Sequence, residues 1–534
     1  MMRILSVLIS FFLCTIIYSQ EKENQNVELP DFVITGKNIV NIQSVTKKAP
    51  PILTIISNDF LMPNYSTENL RVKEIESKNL NPLSFKEKID YFNGNLELKA
   101  GIYSIPEGSL FFSQPFSNGN FQIKFDGSSL KAHVDNSEQT NYYGKANLNL
   151  YIKNSSKLFP GAKITLGGLY GSNEYKFYSV PNPEQNTLSK GNLSFGIQNL
   201  LNKYFAFSFE IAESFYSFKD EFFDENLLDL NGFVKVGLEK FDVASNIIYK
   251  KQSLTNSFAP RLSSTYLFAN PRANINFIDE FKVSLGFTYS HITGNDYYAP
   301  YASVSVGLSN NVTIIGEYSP QADFITQVMM LDKNKYLNTY SFENLFFKKT
   351  NSISATLKYE YLKTIEFDIG LKYYTTPNQP YFRKTLPSGL SNGENFDLLT
   401  TNATSYSGFV KFILYPGEYG FLTTEIKYNR IEDNAGKQIP FNPQYDVSFK
   451  YNSNFNSSII FEPSLRYLSK SFTDLTNNID LKSFVDLSLR VTKKMNDNFY
   501  IFIEGSNLLN SSNYIYEGYK EMPISINGGI SIKW

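Results

Sequence analysis

From Ile365 to Tyr373 the chain alternates without a break. Ile365, Phe367, Ile369, Leu371 and Tyr373 take the odd positions, and Glu366, Asp368, Gly370 and Lys372 lie between them. Side chains of an extended strand point to opposite faces in turn, so this stretch shows one apolar and one charged face. The pattern recurs in Val283, Leu285, Phe287 and Tyr289 against Lys282, Ser284, Gly286 and Thr288. It recurs again in Ile353, Ala355, Leu357, Tyr359 and Tyr361, and in Val485, Leu487, Leu489 and Val491. A soluble sheet with such strands needs helices or a second sheet over its apolar face, yet helical periodicity is scarce throughout. Strands of about ten residues suit a bilayer crossing, and closing them into a barrel leaves no unpaired backbone in hydrocarbon. Aromatic residues make up 16% of the chain, mostly Phe and Tyr, which favour strands and membrane interfaces. The expected fold is therefore all-β, an antiparallel transmembrane β-barrel over residues 93–534.

Connection lengths set the strand number. Bacterial single-chain barrels use even counts, with short periplasmic turns and longer outer loops. Tight turns are expected at Ser117-Asn118, Leu201-Asn202, Glu239-Lys240, Asn310, Leu362-Lys363, Pro416-Gly417, near Asn452 to Asn456, and at Met495-Asn496. Short and long connections alternate along the whole chain only if Leu337 to Lys348, which also reads as extended, belongs to an outer loop. That gives about 22 strands, an even number. The two largest outer loops are then expected at Pro320 to Lys349 and Thr376 to Thr404.

Residues 1–20 read as a signal peptide: Met1-Met2-Arg3, an apolar run from Ile4 to Tyr18, then Ser19-Gln20 before Glu21-Lys22-Glu23. Cys14 is the only cysteine, and it follows Leu13 rather than the small residue a lipoprotein site needs. It is expected to leave with the signal, so the mature chain offers no disulfide or thiolate chemistry. Residues 21–92 form a short, mostly irregular periplasmic segment. The formal net charge of −1 gives no reason to expect a nucleic-acid partner.

Two stretches carry a family resemblance. The C-terminal fifty residues, from Phe484, resemble the end of a TonB-dependent receptor barrel. A penultimate strand is followed by Asn507-Leu508-Leu509-Asn510 and Tyr514, then Gly518-Tyr519 and Pro523, and a last strand ends on an aromatic. In that strand Ile524, Ile526, Gly528, Ile530, Ile532 and Trp534 share one face. The resemblance implies that Ile530, Ile532 and Trp534 form the insertion signal read by the barrel-assembly machinery. Near the mature N-terminus, Leu29 to Lys37 contains Asp31, Phe32, Val33, Ile34, Thr35 and Gly36, which resemble the TonB box, with Phe32 a mild departure. An extended segment of this composition adds itself to an exposed sheet edge of a partner, and the resemblance names TonB as that partner. The lysine-, asparagine-, phenylalanine- and tyrosine-rich composition also resembles Bacteroidetes-type outer-membrane proteins.

The family follows its box with a folded plug of well over a hundred residues. Residues 21–92 are too few for one, although the start after Lys37 resembles the start of a plug, and the later Pro-Gly-Val and Arg-Gly plug signatures are absent. A barrel this wide needs filling. The lumen is expected to be closed by the short segment, by outer loops folding inward, or by another protein such as a lipoprotein cap.

Chemistry-bearing residues are sparse. His133, with Asp135 and Ser137 nearby, has the residue types of a barrel-rim hydrolase, and equally those of a polar loop. His291 reads as a surface or lumen histidine. Asp220, Glu221, Asp224, Glu225 and Asp229 cluster like a hard-cation loop but without its regular spacing. Lys358, Glu360, Asp368 and Arg490 read as inward charges that keep a lumen wet, pair across strands or tune passage. No catalytic, cofactor or metal site is expected. The expected role is transport across the outer membrane of a Gram-negative bacterium, or a partner-capped channel or scaffold there, embedded in outer-membrane lipids. An active TonB-dependent nutrient receptor with a minimal gate is the alternative, and a rim hydrolase a remote one.

Overall fold

A computed structural model describes residues 92–534, apart from residues 158, 180–182, 201, 203, 220–222, 239, 257–258, 279, 340–344, 363, 386–394, 416–419 and 456–457. The signal peptide and the box residues Asp31 to Gly36 lie outside the described residues. So do Leu201, Glu239, Lys363, Pro416, Gly417 and Asn456, each at an expected turn.

Alternation along the chain becomes a single antiparallel sheet of 22 strands, each paired with its neighbour in sequence. The first strand, Gly94–Gly101, pairs with the last, Ser525–Lys533, through Leu96↔Ile532 and Leu98↔Ile530, so the sheet closes with no free edge. Polar residues are buried inside: Asn95, Gln122, Asn274, Ser290, Ser405 and Ser531 are each under a tenth exposed. Large apolar residues face out, among them Leu193, Leu285, Phe287, Leu371 and Ile503. A water-soluble fold reverses this arrangement, whereas a barrel bathed in lipid requires it. Exposed rings flank the apolar band at both rims, with Tyr142, Tyr170, Tyr298 and Tyr445 at one and Phe205, Phe241, Phe277 and Trp534 at the other. These are the interfacial girdles of an outer-membrane barrel.

Short connections lie at the rim where Gly94 begins the first strand and Trp534 ends the last. They include Ser117-Asn118 between Phe116 and Gly119, and residues 310–311 between Ser309 and Val312. The turn expected near Asn452 to Asn456 comes only after Phe455, because Asn452 to Phe455 belong to the strand Tyr445–Phe455. Leu345–Lys349 pairs with Gln321–Ile325 in a separate two-stranded sheet, so it belongs to an outer loop as the alternation of connection lengths requires. Thr376 to Thr404 is corrected. Its backbone continues as Ile365–Lys384 and Phe396–Leu414, a tall hairpin whose ladder slips between Thr376 and Gln379 and then resumes. Pro377 and Pro380 make the stretch read as loop, but Pro377 falls in the bulge and Pro380 pairs with Thr400 once the ladder resumes.

Local chemistry fixes the closing seam. Trp534 donates its backbone N–H to the Gly94 carbonyl at 3.1 Å, and a Cβ on Gly94 would collide with the Trp534 indole. Glycine here gives the terminal ring its place against the first strand. Asn507, fully buried and left-handed at φ 46°, holds the loop before the last strand. Its amide donates to the carbonyls of Ser511 and Met522 and accepts the Ser511 N–H at 3.0 Å. Asn tolerates this backbone region because its short amide bonds locally.

Candidate functional site: the closed outer mouth

The principal apolar cluster lies at the rim opposite Gly94 and Trp534, and residues 320–339 and 345–352 build its centre. Gln321–Ile325 and Leu345–Lys349 rise as a small hairpin, and between them the chain turns into the helix Gln327–Leu331. Thr326 starts the helix, its hydroxyl accepting the Met329 N–H at 3.3 Å, as N-cap residues do. Val328, Met330, Leu331 and Leu337 are buried almost completely. Burying such a side chain contributes about 2 kcal/mol relative to leaving it in water. The segment thus crosses the mouth as an apolar strap.

Contacts on both sides of the barrel hold it. Beside its roots, Leu337 bridges to Phe396, with the Asn338 N–H donating to the Phe396 carbonyl at 2.7 Å and the Phe396 N–H to the Tyr336 carbonyl at 2.9 Å. On the far wall the Tyr175 hydroxyl donates to the Lys335 carbonyl at 2.6 Å, and the Glu225 carboxylate accepts the Val328 N–H at 3.3 Å. From the last outer loop, Tyr516 donates to the Lys333 carbonyl at 2.7 Å, and the Tyr519 ring stacks on Tyr336. Phe177, Phe218, Phe223 and Leu254 complete the cluster from the wall.

Two lysines of the strap feel this enclosure. Burial pushes Lys333 down to about 8, with Lys349 nearby adding to the effect. Burial likewise pushes Lys335 down to about 8, partly offset by Glu521. Lys335 lies over the rings of Tyr175 and Tyr336 and donates to Gln139 at 2.9 Å. Asp323 and Lys349 form an ion pair at 2.6 Å within the small hairpin.

The residues singled out from sequence fall into place around this mouth. Ser137 accepts the N–H groups of His133 and Val134, both at 3.0 Å, and lies 3.1 Å from His133 Nδ1. His133 Nε2 is 2.8 Å from the Lys520 carbonyl, so that nitrogen donates and Nδ1 accepts the Ser137 hydroxyl. Serine is thereby engaged as a turn lock, the imidazole joins two outer loops, and exposed Asp135 takes no part. His291 pairs with Asp296 at 2.8 Å on the lipid-side face of a hairpin tip. In the acidic cluster, Asp220 and Glu221 lie outside the described residues, Glu225 caps the strap, and Asp229 pairs with Lys250 at 2.9 Å. Among the described residues no cluster of acidic, histidine or cysteine side chains could hold a metal ion.

Inward charges face one another across strands, in like sign where Glu360 stands opposite Glu366. Lys358 stands opposite Asp368. Arg490 makes a bidentate pair with Glu97 at 3.0 and 2.9 Å, reaches Glu504 at 3.4 Å, and lies over the Phe502 ring at 3.7 Å. The Arg490 pair spans the closing seam. Ile530 and Ile532 are partly exposed on the outward face of the last strand, and Trp534 is 45% exposed there. The strap contacts were not foreseen. The run Val328-Met329-Met330-Leu331 within a polar loop was their only local signal.

No protein-family model and no curated protein matches the chain. Solved structures do, at the level of fold. The FrpB iron transporter of Neisseria meningitidis aligns at 10% identity, covering 83% of this chain and 81% of that one, with a TM-score of 0.62. The ferric-catecholate import receptor Fiu of Escherichia coli K12 aligns at 9% identity over 83% and 82%, with a TM-score of 0.61. A mutant of the ferric enterobactin receptor PfeA of Pseudomonas aeruginosa aligns at 9% identity over 83% and 80%, with a TM-score of 0.59. The chain has the 22-strand barrel fold of TonB-dependent receptors.

Proposed function

We propose that this chain is an outer-membrane transport barrel of the receptor type, without a complete plug, whose outer mouth is gated by its own strap. The observation that carries this reading is the apolar strap of residues 320–339 and 345–352, held by Tyr175 and Glu225 on one side and by Phe396, Tyr516 and Tyr519 on the other. An open lumen of 22 strands would be a large hole in the outer membrane, and the strap removes it. In this role Asp31 to Gly36 engage TonB, and Ile530, Ile532 and Trp534 address the barrel to the assembly machinery.

Cells carrying the chain with residues 327–339 replaced by a Gly-Ser linker test the gate. Sensitivity to a large hydrophilic antibiotic should rise, while the folded barrel remains at the same level in the outer membrane. Unchanged sensitivity would mean that something else, such as a lipoprotein cap, closes the lumen, and the role would move to a partner-capped scaffold. Deleting Asp31 to Gly36 should abolish growth on the transported nutrient. Unchanged uptake would remove TonB from the account.

A further inference from the structure

One charge on the outward face has no place in a wall that simply meets lipid. Glu213 lies in the strand Phe205–Phe218 and is exposed on the same face as Phe209 and Phe215. Its same-face neighbours are Leu193 and Leu228 across the ladder, and Ile211 and Phe215 along the strand. Toward the periplasmic rim the face stays apolar, whereas Ser189, Ser217 and Asn226 follow soon on the other side. The carboxylate therefore stands at the outer boundary between acyl chains and headgroups.

A carboxylate facing hydrocarbon is costly unless paired, and such residues mark functional positions. Lys251, opposite Leu228, is the nearest cation on this face, but it stands two strands from Glu213 and forms no ion pair with it. Glu213 borders an open groove of about 550 Å³ where Ala146 and Gly168 leave bare backbone between Leu148, Leu166 and Leu193. Gly168 is not a steric necessity, since a Cβ there would sit 3.6 Å from Leu193 Cδ2, an ordinary contact. The groove is thus a built concavity with a negative charge at its headgroup end.

We infer that this groove holds a lipid with an ammonium headgroup, its ammonium paired with Glu213 and its acyl chain running toward the periplasmic rim over Leu166, Phe195 and Ile211, one ladder row below. Charge complementarity selects the occupant. An anionic lipid would meet the carboxylate, and a second copy seated symmetrically on the groove would bring two Glu213 side chains together.

Native mass spectrometry of the full chain in detergent tests this, with phosphatidylethanolamine and phosphatidylglycerol of identical acyl chains offered in equal amounts. The wild type should retain phosphatidylethanolamine several-fold over phosphatidylglycerol. Glu213→Gln should remove that preference, and Gly168→Leu, which fills the groove, should lower retention of the amine lipid. Heat-modifiable migration on gels confirms that each variant is folded. Equal retention of the two lipids by the wild type, or a preference that survives in Glu213→Gln, would overturn the inference. So would a co-purifying protein that replaces the lipid and depends on Glu213.

Discussion

Tyr336 of the strap and Tyr519 of the last outer loop lie face to face, their ring centroids 3.4 Å apart. Both are buried, and Tyr178 meets each ring edge-on. This stack joins two loops that the chain brings together only when the barrel closes.

Tyr336→Ala should loosen the strap without unfolding the barrel. Truncating a buried aromatic costs about 3–5 kcal/mol, and the stack adds about 1 kcal/mol. Amide exchange in residues 327–339 should accelerate by at least an order of magnitude, while the barrel strands keep their protection. Uniform loss of protection would mean that the strap and the wall are one cooperative unit.

Closure should depend on pH in a definite direction. Lys333 and Lys335 have ordinary values of 10.5 in the open strap and about 8 in the closed one. Between those values the open state binds more protons, so closure strengthens as pH rises from about 8 to about 10.5. Below about pH 8 both lysines are charged in either state and the full burial penalty applies. Strap protection factors, exchange rates divided into the intrinsic base-catalysed rate, should therefore rise across that window. The double variant Lys333→Met with Lys335→Met should lose the dependence and be tighter at pH 7.

Arg490→Met should destabilise the seam. Glu97, Glu462 and Glu504 would lose the guanidinium that offsets them, at about 3–5 kcal/mol for a buried pair broken on one side. Urea unfolding of the purified barrel in detergent measures the loss. Arg490→Lys should recover only part of it, because an ammonium cannot make the bidentate pair with Glu97.

Trp534→Ala should lower the amount of folded barrel in the outer membrane several-fold, with unfolded chain accumulating in the periplasm. Gly94→Val should do the same, since its side chain displaces the indole. Heat-modifiable gel migration of membrane fractions reads both. Normal insertion of the Trp534 variant would withdraw Ile530, Ile532 and Trp534 as the insertion signal.

How far the fold can be read from sequence differs along the chain for physical reasons. Leu371 and Lys372 announce their faces because lipid and water select every second residue, a purely local signal. Alternation of connection lengths excluded Leu337 to Lys348 from the wall although it reads as extended, and the strand Leu345–Lys349 pairs outside the wall. Between Thr376 and Gln379 local reading failed, since Pro377 sits there at a bulge and the ladder then resumes through Pro380. The site itself was largely hidden. Tyr175 and Lys335 are separated by 160 residues and His133 and Lys520 by 387, and only barrel closure makes them neighbours. Glu225 read only as one member of an acidic cluster because its partner, the Val328 N–H, carries no sequence signature.

Single-channel conductance in planar bilayers tests the strap most directly. The wild-type chain should be closed for most of the recording, and the chain with residues 327–339 replaced by a Gly-Ser linker should show a large, steady conductance. A wild type that conducts as freely as the replaced chain would contradict a mouth closed from within.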